Sequence, residues 1–187
     1  MAFSNGTSEG AAIAIQAYYQ TNTFLSVTML GFLKSAEMIG RVLSGLVQYK
    51  VTVPPEKRYG VTKFVYGIYT VADMVLLFSP YSLMLANRFI CGALGTTSAT
   101  IRETAVQSYL PANIRARVNA LFSSLFSVGG IIFQVLGGVL GEVLPYRGVI
   151  VVMGVIALLA LWVFIVIPDK ENRKIYEAQR TGSYPEA

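Results

Sequence analysis

Residues 149–167 have the sequence VIVVMGVIALLALWVFIVI, a run without one charged side chain. A helix needs about 20 predominantly apolar residues to cross roughly 30 Å of hydrocarbon. The run ends at Pro168, which cannot continue a regular helix, and charged residues follow at once. This stretch is therefore predicted to be a transmembrane helix.

Four other segments are long enough for the same role. The predicted spans are 24–49, 61–78, 82–109, 118–144 and 149–167. Turn-forming prolines at 54–55, 80, 111 and 145 separate them. Only 13% of the residues are charged and 54% are hydrophobic, whereas soluble domains average about 25% charged residues. The fold class is predicted to be an all-α integral membrane bundle with five transmembrane helices.

The two ends of the chain differ from the spans. The apolar run at residues 11–19 is too short to cross a bilayer, so residues 1–23 are predicted to be a short stub, the end of a truncated helix. The bundle itself covers 24–167. Residues 168–187 are predicted to be a polar cytoplasmic tail.

The orientation follows from the basic residues in the connections. Alternating the five spans leaves Arg147 alone on one side. The side that holds the C-terminus receives Lys50, Lys57, Arg58, Lys63, Arg115, Arg117, Lys170, Arg173, Lys174 and Arg180. Because cytoplasmic loops are enriched in Lys and Arg, the C-terminus is predicted to be cytoplasmic and the membrane to be the cell membrane. The net charge of +5 is then a topology signal, and no nucleic-acid partner is expected.

The composition also limits the chemistry. The chain has no histidine and one cysteine, Cys91. Histidine metal ligands, Ser-His catalysis and an internal disulfide are therefore excluded. We expect no metal, no cofactor and no enzymatic activity.

Charged residues inside a span usually face the bundle interior or an aqueous cavity. Lys34, Glu37 and Arg41 share one helix face, since they lie at positions i, i+3 and i+7. They form either a cavity cluster that binds substrate or coupling protons, or a structural ion network. Arg102 and Glu103 either gate the cytoplasmic end of their span or mark the headgroup boundary.

The fourth span is rich in glycine. Its predicted packing residues are Gly129, Gly130, Gly137, Gly138 and Gly141. Glycine lets helices approach closely in lipid, and it also permits bending, so the two roles are compatible. Asn119 and Gln134 are the polar residues of this span expected to face a cavity.

Four motifs together indicate a family. Residues 87–95 (NRFICGALG) contain an R-x-x-x-G helix, and residues 110–120 (LPANIRARVNA) form a proline and arginine link to the next span. Glycine pairs follow at 127–130 and 137–141, and IGRVLSG at 39–45 precedes a basic loop. In this order they resemble helices eight to twelve of the major facilitator superfamily, with the stub resembling the end of helix seven. The basic loop lacks the acidic residue and paired glycines of the superfamily's cytoplasmic motif.

The resemblance is greatest to bacterial drug and macrolide efflux permeases. It implies half of a secondary transporter that exports a small drug-like molecule, coupled to protons, by alternating access. Arg88 resembles an arginine associated with proton coupling in the superfamily's N-terminal half, whereas the same position in the C-terminal half more often packs structurally. Arg88 is therefore a candidate either for the cavity and coupling or for packing. Asp73 would lie outside the bundle as a hydrated residue near the end of its span.

Expected partners are the lipid bilayer, a small-molecule substrate, and the missing N-terminal half or a second copy. Two other functions are open. A scaffold or assembly protein could keep the fold without transport. A membrane-embedded enzyme would need a nucleophile with its base, or clustered acids for a metal, and neither pattern is present.

Overall fold

The computed structural model describes residues 2–21, 26–51 and 53–176, with the backbone alone for residues 2–5 and 112. Helices account for nearly all of these residues. They are α1 (Ala2–Thr21), α2 (Val27–Lys50), α3 (Pro55–Val75), α4 (Tyr81–Tyr109), α5 (Ala112–Val143), α6 (Tyr146–Leu161) and α7 (Asp169–Tyr176). A 3₁₀ turn, Leu76–Phe78, extends α3, and a π-helical turn, Trp162–Val166, extends α6. The described residues contain no β-strand, so the all-α prediction is confirmed.

Prolines set the start of four helices. Pro54, Pro80, Pro111 and Pro145 each directly precede the first residue of α3, α4, α5 or α6. Proline has no N–H to leave unpaired at a helix start, and its ring fixes φ. The predicted breaks between spans are confirmed. In α2 the first turn is capped instead by Ser26, whose side chain accepts the Met29 N–H at 3.2 Å.

The predicted N-terminal stub is a 20-residue helix, α1, which packs against α5 and α6. Residues 1, 22 and 23 of the predicted stub lie outside the described part. Ala11, Ala14 and Tyr19 are buried in its contacts. The prediction of a stub rests on an apolar run that is too short to cross a bilayer. In the structure, one side of α1 packs against other helices and another side lines a cavity, so α1 can contain polar residues along its length.

Within the described part of the chain, three helical segments are long and apolar enough to cross a membrane by length and composition: Pro55–Phe78, Asn113–Val143 and Tyr146–Val166. The first and third of the five predicted spans correspond to α2 and α4, which have 24 and 29 residues. These two helices are long enough but contain the charged side chains described below. Their polarity is explained by the packing, because those charges face other helices or cavities.

The closest helix contacts involve glycine. A Cβ added to Gly92 of α4 would lie 2.0 Å from the Glu37 carbonyl oxygen, and one on Gly40 of α2 would lie 2.1 Å from the Phe89 carbonyl oxygen. No real Cβ fits at such a distance, so α2 and α4 meet backbone to backbone. Close packing of this kind supplies the attraction between helices in lipid, where the hydrophobic effect does not act.

Helix α1 crosses α5 in the same way. A Cβ on Gly137 would lie 2.6 Å from the Gly10 carbonyl oxygen, and one on Gly6 would lie 2.6 Å from the Gly129 carbonyl oxygen. The other glycines of the predicted packing set have more space: the nearest atoms to a Cβ are at 3.9 Å for Gly130 and Gly141, and none lies within 4 Å for Gly138. Gly138 is exposed and contacts no other described helix at this position.

Part of the predicted polar tail is α7, which folds back against α3 and α4. Tyr176 is buried there beside Tyr59. In the π-helical turn before α7, two backbone carbonyl groups accept hydrogen bonds from side chains. Tyr59 donates its hydroxyl to the Ile165 carbonyl at 2.7 Å, and the Asn172 amide donates to the Phe164 carbonyl at 2.9 Å. Residues 177–187 lie outside the described part.

Basic side chains gather at the α7 end of the bundle. Lys63 donates to the Asp169 carboxylate at 2.8 Å. This hydrogen bond lowers the pKa of Asp169 from its ordinary value. Arg147 lies at the opposite end, where its Nε donates to the Leu77 carbonyl at 3.0 Å. Lys63 and Arg147 therefore lie at opposite ends of α3.

The contact of α2 with α4 can be tested by a matched pair of substitutions. Gly92→Ala places a methyl group against the α2 backbone, and overpacking of this kind typically costs about 1–3 kcal/mol. Gly45→Ala adds the same methyl where nothing lies within 4 Å, and helix propensity then favours alanine by about 1 kcal/mol. Thermal unfolding in detergent is expected to show a lower midpoint for Gly92→Ala and an unchanged or higher one for Gly45→Ala. Equal shifts would contradict the observed packing.

Candidate functional site

Three cavities follow one another along the bundle between the pair α1/α5 and the pair α2/α4. The Glu37 cavity has a volume of about 150 Å³, and the Ser98 cavity about 310 Å³. The third, the Asn119 cavity, has about 470 Å³. Arg41 and Tyr69 line both of the first two, and Arg102 and Phe126 line both of the last two. Shared walls join the three into one polar trough.

In the Glu37 cavity, Glu37 and Arg41 form an ion pair at 2.5 Å across one turn of α2. Glu37 is buried, whereas half of the Arg41 side chain is exposed (50%). Lys34 lines the same cavity and is exposed. Within the described part of the chain, Lys34 forms no ion pair. The structure therefore brings the three predicted residues to one cavity but pairs only two of them.

Asp73 is buried inside the bundle, where it forms an ion pair with Arg88 of α4. The interpretation of Asp73 as a hydrated residue on the outside is wrong. The side chains are 12% and 11% exposed respectively. Neither charge could remain there alone, because an unpaired charge in a low-dielectric interior is far more costly than a paired one.

Neighbouring groups hold the Asp73–Arg88 pair in place. Ser8 of α1 donates its hydroxyl to Asp73 Oδ2 at 3.4 Å. Arg88 Nη2 donates to Asn87 Oδ1 at 3.1 Å, and Asn87 Nδ2 donates to the Ala72 carbonyl at 2.8 Å. Arg88 Nε is buried without a protein partner. The pair thus ties α1, α3 and α4 together beside the Glu37 cavity, which it lines.

The Ser98 cavity lies between the other two along the same trough. Its wall combines two arginines, Arg41 and Arg102, with three aromatic side chains, Tyr66, Tyr69 and Phe126. These residues come from α2, α3, α4 and α5, and Ser8 of α1 completes the wall. Among the residues that the structure describes, no acidic side chain lines this cavity.

Arg102 separates the Ser98 cavity from the Asn119 cavity. Its guanidinium lies 5.0 Å from the Phe126 ring centre and 5.6 Å from that of Phe122, both of α5. Such cation–π contacts are worth about 0.5–2 kcal/mol. Its nearest carboxylate, that of Glu103, is at 4.0 Å. Arg102 therefore spans the gap between α4 and α5.

Two of the remaining predicted residues lie at the same trough, since Glu103 and Asn119 line the Asn119 cavity. Gln134 lines none of the three cavities. It is exposed and donates to the Glu9 carboxylate at 3.2 Å, which links α5 to α1 within one helix pair.

The sequence argument missed Asp73, Ser8, Tyr69 and Phe126. A signal for Asp73 was present, because an arginine inside a span needs an anionic partner and Asp73 lies in the adjacent span. Nothing in the sequence identified the two aromatic residues, since tyrosine and phenylalanine occur throughout the apolar spans.

Comparison with known families decides the identity of the fold. The family model described as Major Facilitator Superfamily matches residues 1–184. The chain belongs to the major facilitator superfamily. The predicted resemblance to this superfamily is confirmed, and its members are transporters, so the chain is a multi-pass membrane protein of a transporter family. No curated protein and no solved structure matches the chain significantly.

The buried ion pair can be tested by charge removal. Asp73→Asn leaves Arg88 buried without its anion, and breaking such a pair typically costs about 3–5 kcal/mol. Thermal unfolding in detergent should show a large loss of stability for Asp73→Asn. The double variant Asp73→Asn, Arg88→Met should recover most of that loss, because it leaves no unpaired charge.

The control is a pair on the surface. Lys174 and Glu171 lie 3.6 Å apart, with both side chains more than 70% exposed. Exposed pairs contribute about 0–1 kcal/mol, so Lys174→Met should change stability little. A single Asp73→Asn variant as stable as the Lys174→Met variant would refute the structural importance of the buried pair.

Proposed function

We propose that this chain forms the C-terminal half of a secondary active transporter that exports a small, drug-like molecule by alternating access. The observation that supports it is the polar trough, whose walls come from α1, α2, α3, α4 and α5. Transporters of this architecture bind substrate near the bilayer midplane, at the interface between their two halves. We propose that the substrate is moved without a chemical reaction.

The geometry of the helix pairs favours a second half. Helix α5 packs chiefly on α1, and α4 chiefly on α2, which leaves the trough between the pairs. A trough of this kind becomes an enclosed site when another bundle, or a second copy of the chain, covers it. Export is proposed from the resemblance of the fourth predicted span, residues 118–144, and its flanks to bacterial efflux permeases.

Proton coupling is supported by two carboxylates at one cavity. Glu37 and Asp73 both line the Glu37 cavity, and each is paired with an arginine. A proton taken up by either carboxylate would weaken its ion pair and free an arginine. Protonation of Asp73 would loosen the contact of α3 with α4, and protonation of Glu37 would free Arg41 for the Ser98 cavity, which it also lines.

Orientation is part of the proposal, with the α7 end of the bundle in the cytoplasm. Pro80 precedes α4 at the end near Arg147, and Glu56 lies in the first turn of α3 at the opposite end. In whole cells a membrane-impermeant maleimide is expected to label Pro80→Cys. It should label Glu56→Cys only after permeabilisation. Cys91 is buried and should give little background. The reverse labelling would refute this orientation.

Transport is tested with the chain and an N-terminal half from a bacterial efflux permease reconstituted together in proteoliposomes. We expect flux of a drug-like substrate that depends on an imposed pH gradient, and no flux with this chain alone. Glu37→Gln should remove the dependence on the pH gradient. Glu56→Gln is the matched control, because Glu56 is exposed and lines none of the three cavities.

The alternative function as a scaffold predicts a different result. Stable assembly of the two halves with no flux of any substrate would favour the scaffold and contradict transport. Flux by this chain alone as a monomer would contradict the requirement for a second half.

A further inference from the structure

We propose that the Ser98 cavity is a binding site for an aromatic organic anion, which defines the substrate class of the trough. The inference that this anion is transported rests on the proposed function. The binding site itself rests on the residues that line the cavity.

The first argument is the charge of the wall. Arg41 and Arg102 line the Ser98 cavity, and among the described residues no carboxylate does. Each of these arginines also lines a neighbouring cavity, where a carboxylate is present: Glu37 for Arg41 and Glu103 for Arg102. The charges of the whole trough therefore balance, but the wall of the Ser98 cavity itself presents only guanidinium groups.

The second argument is that both guanidinium groups keep free donors. Glu37 accepts from one Nη of Arg41, and half of the Arg41 side chain stays exposed. The carboxylate nearest to Arg102 among the described residues, that of Glu103, is 4.0 Å away, and the guanidinium lies 5.0 Å from the Phe126 ring centre. Arginine binds carboxylate, sulfonate and phosphate groups through two parallel N–H bonds. Arg102 therefore keeps N–H donors for such a contact.

The third argument is the rest of the wall. Tyr66, Tyr69 and Phe126 provide aromatic surface. The hydroxyl groups of the two tyrosines have no hydrogen-bond partner among the described residues. The volume of about 310 Å³ is at the lower end of the range for small-molecule sites, about 300–1,000 Å³. The cavity therefore suits a ligand of one or two rings with a single anionic group.

A cationic ligand fits this wall poorly. It would lie beside two guanidinium groups, while Glu37, the partner of Arg41, lines the neighbouring cavity, and like charges in a partly dehydrated site repel strongly. A neutral ligand would leave the free N–H donors of Arg102 without an anionic partner. The proposal can therefore be tested by comparing the binding of ligands that differ only in charge.

The test uses the purified chain in nanodiscs of phosphatidylcholine, a lipid without net charge, so that no anionic lipid competes. Binding of 2-naphthalenesulfonate is measured by equilibrium dialysis and compared with 2-naphthylmethylammonium and 2-naphthylmethanol. These probes share one ring system and differ in charge. Saturable binding is expected for the sulfonate, with at least about tenfold weaker binding of the other two.

Arg102→Gln should weaken binding of the sulfonate by at least about tenfold, since a charge-assisted pair is lost. Arg102→Lys should weaken binding less, because lysine keeps the positive charge but lacks the two parallel N–H donors of arginine. Arg117→Gln is the matched control, as this exposed arginine of α5 lines none of the three cavities. Ala99→Phe tests the site without touching a charge: Ala99 lines the cavity, and the larger ring should block it. Thermal unfolding checks that each variant is folded.

Three results would overturn the proposal: no saturable binding of the sulfonate, tighter binding of the ammonium, or unchanged binding of the sulfonate by folded Arg102→Gln and Ala99→Phe variants. The flux assay with the N-terminal half separates this failure from that of the transport function. Flux of neutral or cationic drugs without binding of the sulfonate refutes only the anion site. Binding of the sulfonate without any flux refutes transport and leaves the site.

Discussion

The fold depends on one constraint, which is that a charge inside a membrane protein must face an opposite charge or water. Arg88 of α4 meets Asp73 of α3, and Ser8 of α1 supports the same carboxylate. This arrangement fixes how three helices are rotated about their axes. Once α4 is oriented in this way, Arg102 lies further along the helix at the trough, and Gly92 meets the backbone of α2.

The second requirement is attraction between helices without the hydrophobic effect. Glycine provides it at Gly92 for α2 and α4, and at Gly137 for α1 and α5. The two tight contacts lie within the pairs, so that polar side chains gather between the pairs.

The Glu37 cavity and the Ser98 cavity differ chemically. Carboxylates paired with arginines line the Glu37 cavity, where protonation can alter an ion pair. In the Ser98 cavity Arg102 lies over the Phe126 ring, and no carboxylate among the described residues lines the wall. Coupling and substrate recognition would thus lie in adjacent cavities that share Arg41 and Tyr69. A ligand bound to Arg41 would compete with Glu37 for the same guanidinium, which gives a physical route between the two.

The sequence by itself determined the membrane class and the positions of the breaks at Pro54, Pro80, Pro111 and Pro145, because apolar length and proline geometry act locally. It indicated the family through the order of its motifs. It also identified Glu37 and Arg41 as neighbours, since they are one helical turn apart. Only the tertiary structure decided that α1 is a full helix and that Asp73 is buried. Both depend on which faces of distant helices meet, Gly10 against Gly137 and Asp73 against Arg88, and no local pattern encodes that choice.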